Sequence, residues 1–129
     1  MRPSRRRCWT LTAALSLVVS LVTVVGVRPA EAATCTIVAN PTPTNHPDCA
    51  GMDLAPLLLE NKNLAYADFS GAWLWQSSFF GSNLHGATFD GANLLQGNLA
   101  RTNLTDASLR STGLSHMTLA WTDASRADF

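Results

Sequence analysis

From Leu54 onward a large apolar residue stands at every fifth position: Leu54, Leu59, Leu64, Phe69, Leu74, Phe79, Leu84, Phe89, Leu94, Leu99, Leu104, Leu109, Leu114 and Leu119, then Ala124 and Phe129. Fifteen of the sixteen sites are Leu or Phe. An α-helix repeats every 3.6 residues and a strand every 2, so neither places every fifth side chain on one surface. A turn must intervene in each repeat. From Phe69 onward the residue two before each apolar site is small, among them Ala67, Ala72, Ser77, Ser82, Ala87, Ala92, Gly97 and Thr102, with Met117 as the exception. The site between is often Asn or Asp (Asn63, Asp68, Asn83, Asn93, Asn98, Asn103, Asp123, Asp128), whose short polar side chains stabilise turns.

Stretches such as Ala67-Asp68-Phe69-Ser70-Gly71, Ala92-Asn93-Leu94-Leu95-Gln96 and Thr102-Asn103-Leu104-Thr105-Asp106 resemble the pentapeptide-repeat family. The likeness is close over Asn63–Phe129 and loose over Met52–Lys62. It implies an all-β solenoid: a right-handed, four-sided parallel β-helix with four repeats per coil and the Leu/Phe ladder inside. The expected core is Leu64, Phe69, Leu74, Phe79, Leu84, Phe89, Leu94, Leu99, Leu104, Leu109, Leu114 and Leu119, and residues 52–129 supply about four coils. Stacked coils then pair backbone to backbone at about 4.8 Å, and residue n lies against residue n+20.

The N-terminal segment has a different character. Arg2, Arg5, Arg6 and Arg7 precede an uncharged run from Trp9 to Val27, followed by Ala30-Glu31-Ala32. This is the layout of a signal peptide, so residues 1–32 are expected to be removed after Ala32 and the remainder secreted, as in an exported bacterial protein. Ser4-Arg5-Arg6 resembles the start of a twin-arginine motif, but Cys8, Trp9 and Thr10 depart from it, which leaves Sec and Tat export both open. The alternative is an uncleaved membrane anchor. Either way the basic cluster puts residues 33–129 outside the cytoplasm.

Five of the nine basic residues but only one of the nine acidic residues lie in 1–32, so the mature chain is net acidic. It offers no basic stripe for nucleic acid, and none is expected as a partner. Cys35 and Cys49 remain as an even pair in an oxidising compartment, which predicts a disulfide. With Pro41, Pro43 and Pro47, it makes residues 33–51 a stapled N-terminal cap. Asp53–Glu60, around Pro56, is expected to add a helical turn over the first coil. The repeat is still in phase at Phe129 with no cap after it, an open edge that points to a homodimer through the C-terminal coil or to a shortened gene product.

The twenty-residue register also predicts surface neighbours. Asp90 should meet Arg110, Asp106 should meet Arg126, and Arg101 should stack on Trp121. Gln76–Gln96–His116 and Asn63–Asn83–Asn103–Asp123 should form ladders. Trp73, Trp75 and Phe80 occupy outward phases near one corner, with Leu95 beside Trp75, and form the candidate interaction patch. The competing reading is that the N-terminal segment folds over them.

Catalytic chemistry has little support. His46, His85 and His116 are scattered, so no metal or other cofactor is expected. No phosphate loop, nucleophile elbow or carboxylate pair appears, and the acids read as single residues that do not line one side. The leading expectation is a non-enzymatic binding or scaffold module of the cell envelope or extracellular space, with an envelope protein or polysaccharide as partner. Two alternatives stand beside it. One is a DNA-mimicking inhibitor of a type II topoisomerase, which the family resemblance implies and the signal peptide opposes. The other is a secreted enzyme with a pocket between the cap and Trp73, Trp75 and His85.

Overall fold

A computed structural model of the chain describes residues 6–13, 22–26 and 33–129, with side chains from Cys35 onward. Each repeat first folds its own corner. The small residue donates its N–H to the carbonyl of the Leu or Phe three positions back, as in Ala72 N to Phe69 O at 3.0 Å and Ala92 N to Phe89 O at 2.8 Å. The third residue of that turn has positive φ, for example +62° at Gly71, which is the type II pattern. The left-handed residue recurs every five positions from Asn61 to Arg126. Pro56 falls in the same phase, where its ring forbids positive φ, and there the Ala55–Pro56 bond is cis.

The Asn or Asp of each repeat secures the next corner. Its side-chain oxygen accepts the backbone N–H two residues on: Asp68 from Ser70 at 2.9 Å, Asn93 from Leu95 at 3.1 Å, Asn98 from Ala100 at 2.9 Å and Asn103 from Thr105 at 3.0 Å. This local bond is the reason short polar side chains favour turns.

Corners alone do not make a stack. Repeats in the middle of the stack are each joined to the one twenty residues on by three backbone hydrogen bonds, and the repeat of Leu54 by two, because Pro56 has no N–H. Around Phe69 the three are Phe69 N to Thr88 O (2.8 Å), Thr88 N to Ala67 O (2.9 Å) and Gly71 N to Asp90 O (2.8 Å). The resulting parallel bridges fall into four ladders: Asp53–Trp73–Asn93–Gly113, Leu58–Ser78–Asn98–Thr118, Asn63–Asn83–Asn103–Asp123, and Asp48–Asp68–Thr88–Ser108–Asp128. Five-residue repeats with a twenty-residue register give four sides. We name these the tryptophan, serine, asparagine and aspartate sides.

The interior follows from this geometry. Leu54, Leu59 and the whole run from Leu64 to Leu109 are buried, and Phe69 and Phe89 stack at 5.1 Å while Phe79 meets both edge-on at 5.4 and 5.8 Å. Two members of the expected core are different. Leu114 is only partly buried and Leu119 is 44% exposed, because they lie in the last described turn, which is covered on one side only. Met117, the large residue at a small site, packs partly against the core there. In the first turn Met52 and Leu57 hold the same phase and are buried, so oversized side chains stand at both ends of the stack.

The small sites are also matched to the backbone. Ser82, 2% exposed, donates to Leu59 O at 2.6 Å and accepts from Lys62 N at 2.9 Å. Ser77 accepts from Leu57 N at 2.9 Å. The hydroxyls thus satisfy backbone groups of the first turn, and no buried side-chain polar atom among the described residues lacks a partner.

The cap contains β3 (Ala33–Ile37), with Cys35 and Ile37 buried. Cys35 is bonded to Cys49, with Cα atoms 4.8 Å apart. Cys49 stands in the phase of Phe69 and Phe89, and its N–H donates to Asp68 O at 2.7 Å, so the repeat register already runs at Asp48. The helical turn expected over Asp53–Glu60 is absent. Met52–Asp53 (β4) and Leu58 instead pair with the next turn, because Leu54 and Leu59 keep the five-residue phase and enter the core. Ahead of the cap, β1 (Arg6–Ala13) and β2 (Val22–Gly26) complete a sheet in the order β3-β2-β1-β4. The cleavage point expected after Ala32 lies outside the described residues. Among those described, no helix is long and apolar enough to cross a membrane.

Ser82→Ala should lower stability by about 1–3 kcal/mol, the usual cost of unsatisfied buried backbone groups, whereas Ser115→Ala on the surface should stay within about 0.5 kcal/mol of wild type. Urea unfolding of the two variants measures the difference.

Candidate interaction surface

The outward positions of each side carry its chemistry. On the tryptophan side, Trp73 stands mid-wall and Trp75 two residues further on at the corner, with Leu95 one turn along from Trp75. Trp75 is 39% exposed, while Trp73 and Leu95 are half-buried. From the N-terminal segment, β1 pairs with Met52–Asp53, at the edge of the side that carries Trp73. Phe80 holds the same phase as Trp75 one side later, at the following corner, and the Arg101 guanidinium lies 5.8 Å from its ring centroid. The four patch residues thus divide between successive corners.

Around the first of these corners Pro56 and Leu58 extend the apolar surface, Leu58 being 66% exposed. Sequence reasoning passed over Leu58 because it assigned that stretch to a helical turn. The phase alone, one residue before Leu59, marks it as outward. Beside Trp75 and Leu95 runs a pair of amides, with Gln76 Nε2 donating to Gln96 Oε1 at 3.0 Å.

The asparagine side is a polar ladder. Asn83 Nδ2 donates to Asn63 Oδ1 at 3.0 Å and Asn103 Nδ2 to Asn83 Oδ1 at 3.2 Å. Asp123 follows in the ladder and has no amide to donate to Asn103. At the neighbouring corner His85 Nδ1 is 2.9 Å from Thr105 Oγ1 and 3.0 Å from Thr105 O, while the Thr105 hydroxyl donates to Asn103 Oδ1 at 2.7 Å. Both atoms facing Nδ1 thus serve as acceptors, which places a proton on Nδ1. Tyr66 packs edge-on to the His85 ring at 5.3 Å. Its ring passes so close that a Cβ on Gly86 would lie 2.8 Å from it. No cluster of metal-ligating side chains occurs among the described residues.

The expected charge pairs are partly rearranged. Arg126 meets Asp106 through two bonds of 2.6 Å. Asp90 instead accepts the backbone N–H of Arg110 at 3.0 Å and the Ser108 hydroxyl at 2.6 Å, while the Arg110 guanidinium reaches Asp128. Arg101 turns to Phe80, and Trp121, expected to be its partner, is 86% exposed. A long side chain at a left-handed corner can lean along either adjoining turn, so register alone did not decide its partner. The acids also gather more than the sequence reading held. Asp48, Asp68 and Asp128 share one ladder and Asp90 flanks it, with Arg110 as the basic residue on that side.

Hydrogen bonding to Arg126, followed by the attraction of Arg126 and His85, holds the Asp106 carboxyl below its ordinary range. Its stabilising effect should be complete above the unfolded value of about 3.9 and fade as pH falls through the lower folded value. Asp106→Asn should therefore flatten this part of the acid limb in unfolding midpoints measured from pH 5 to 2. Asp123→Asn should extend the amide ladder but lose the carboxylate charge that hydrogen bonds from Ser125 and the attraction of Arg126 favour, so stability at pH 7 should stay within about 0.5 kcal/mol of wild type, read by the same unfolding measurement.

Comparison with known proteins agrees with the fold. The family model "Pentapeptide repeats (8 copies)" matches residues 63–96. A pentapeptide repeat protein of the Arabidopsis thaliana thylakoid lumen is 26% identical and superposes with a TM-score of 0.61, over 61% of this chain and 55% of that one. A pentapeptide repeat protein of the cyanobacterium Cyanothece 51142 is also 26% identical, with a TM-score of 0.40, over 64% of this chain and 53% of that one. The chain thus spans about half the length of these relatives. No curated protein matches. The five-residue period, the twenty-residue backbone register, the family match and the likeness to the Arabidopsis thaliana protein agree: residues 63–96 are pentapeptide repeats, and the chain is similar in fold to the pentapeptide-repeat proteins.

Proposed function

We propose that the chain is an exported, non-enzymatic binding module: a right-handed four-sided β-helix of about four coils that presents the Trp75 corner to a partner in the cell envelope or outside the cell. The observation that carries this reading is the exposure of Trp75, Pro56 and Leu58 where the tryptophan and serine sides meet, with Trp73 and Leu95 half-buried nearby. Isolated exposed apolar residues are ordinary, but several together at one corner favour a contact surface. The backbone beneath is fixed by two or three hydrogen bonds per repeat, so little ordering cost attends binding.

Export rests on the layout of residues 1–32 and on the Cys35–Cys49 bond, which suits an oxidising compartment. The lumenal origin of the Arabidopsis relative is in keeping with it. A non-enzymatic role accords with an interior filled, among the described residues, by Leu and Phe.

A second reading, mimicry of duplex DNA, draws on the aspartate side. Its carboxylates Asp48, Asp68 and Asp90 are followed by the Arg110–Asp128 pair, so the acidic run is short, and export would separate it from a cytoplasmic topoisomerase. Inhibition of a type II topoisomerase by the purified protein would favour it over the first reading.

Capture of partners from cell-envelope extract by immobilised protein tests the binding reading. Wild type should retain a component that a Leu58→Ser/Trp75→Ser variant loses by at least tenfold. Equal retention by both would remove the Trp75 corner from the function.

A further inference from the structure

Building on the export reading, we infer that the tip of the cap, Thr42–Pro43–Thr44, is a modification site at which Thr44 receives an O-linked sugar. Cys35 and Ile37 are buried on one side of this loop and Pro47 and Cys49 on the other, while residues 42–45 between them are all exposed. The Cys35–Cys49 bond closes the base, with Cα atoms 4.8 Å apart. The tip is a two-residue turn: Thr42 N donates to Asn45 O at 2.9 Å and Asn45 N to Thr42 O at 3.1 Å, with Pro43 and Thr44 between them. Pro43 has no N–H to give to a strand and its ring fixes φ. Thr44 therefore stands at the apex of an anchored loop.

The two threonine hydroxyls differ. Thr42 Oγ1 already accepts Asn45 N at 3.1 Å, whereas the Thr44 hydroxyl has no hydrogen-bond partner among the described residues. On the walls, Ser82, Thr102, Thr112 and Thr122 donate to backbone carbonyls, and Ser108 and Ser125 to carboxylates. Ser115 and Thr118 are exposed, but they belong to stacked turns whose carbonyls are bound by Gln96 N and Leu99 N. A transferase needs its acceptor hydroxyl on a peptide that can enter a groove. The loop meets that need and the stacked wall does not. The run Pro41-Thr42-Pro43-Thr44 also has the threonine and proline composition on which exported chains carry O-linked sugars.

Charge and compartment select the group. No Lys or Arg stands between residues 33 and 61, so a phosphate on Thr44 would gain no cation from this stretch and would add negative charge to a net acidic mature chain. A sugar adds none. Outside the cytoplasm the donor would be a sugar carried on a polyprenyl phosphate. Thr44 Oγ1 bonds to the anomeric carbon, the bond from that carbon to the phosphate oxygen breaks with its electron pair, and the hydroxyl proton passes to a base of the transferase. Nothing is oxidised or reduced.

Intact-mass spectrometry of the full-length gene product, made in its native host and separated into cytoplasmic and extracytoplasmic fractions, tests this. The processed chain outside the cytoplasm should exceed its sequence mass by whole monosaccharide residues, and electron-transfer fragmentation should place a sugar on Thr44. Thr44→Ala should lose that sugar, while Thr44→Ser and Ser115→Ala should keep it. Thr44→Ser, which restores the hydroxyl, keeps the assignment testable should Thr44→Ala fail to accumulate.

The inference is overturned if the processed extracytoplasmic chain has its unmodified mass, if Thr44 carries phosphate, or if sugar occurs only on Thr42 or on a wall hydroxyl such as Ser115. In each of those cases export stands. Retention of the whole chain in the cytoplasm with residues 1–32 attached would instead overturn the export reading, and the sugar assignment with it.

Discussion

The backbone register of twenty residues governs everything else in this molecule. Once Phe69 pairs with Thr88 and Thr88 with Ala67, the Leu and Phe sites from Leu54 to Leu109 are buried along one axis and every other phase is assigned to a wall or a corner. A slip of one residue would turn the Leu/Phe ladder outward and bring Asn and Asp inside, so register and core support each other. The three interlocked phenylalanines, Phe69, Phe79 and Phe89, fill the middle of the stack, and the side-chain ladders on the walls add smaller increments that point the same way.

Much of this was legible in the sequence because the determinants are local and repeated. The five-residue phase located the interior from Leu54 to Leu109. The Asn and Asp preceding each Leu or Phe announced corners, and they hold those corners through their own side-chain oxygens. The Asn63–Asn83–Asn103 ladder, the Gln76–Gln96 pair, the Asp106–Arg126 pair and the Cys35–Cys49 bond also followed from spacing and compartment.

What escaped the sequence was decided by freedom at the corners or by the ends of the stack. Arg110 reaches Asp128 while its backbone is held by Asp90, and Arg101 covers Phe80, because a long side chain has several partners within reach. Leu58 was missed because Pro56 suggested a helical turn, yet the demand of Leu54 and Leu59 for the core outweighed that local signal. Cys49 counted only as half of a disulfide, although it also occupies a core position below Phe69. The gathering of acids on one side appears only when Asp48 is included in the register.

The central claim is that residue n stacks on residue n+20 around four sides. It is tested most directly by paired cysteines on the asparagine side, treated with a one-carbon thiol crosslinker and read by mass spectrometry. The Asn83→Cys/Asn103→Cys protein should crosslink within the chain, and Asn83→Cys/Asn98→Cys, three repeats apart and on adjoining sides, should not. Equal crosslinking of both pairs, or crosslinking of the second alone, would contradict the register on which the walls, the corners and the proposed binding surface all depend.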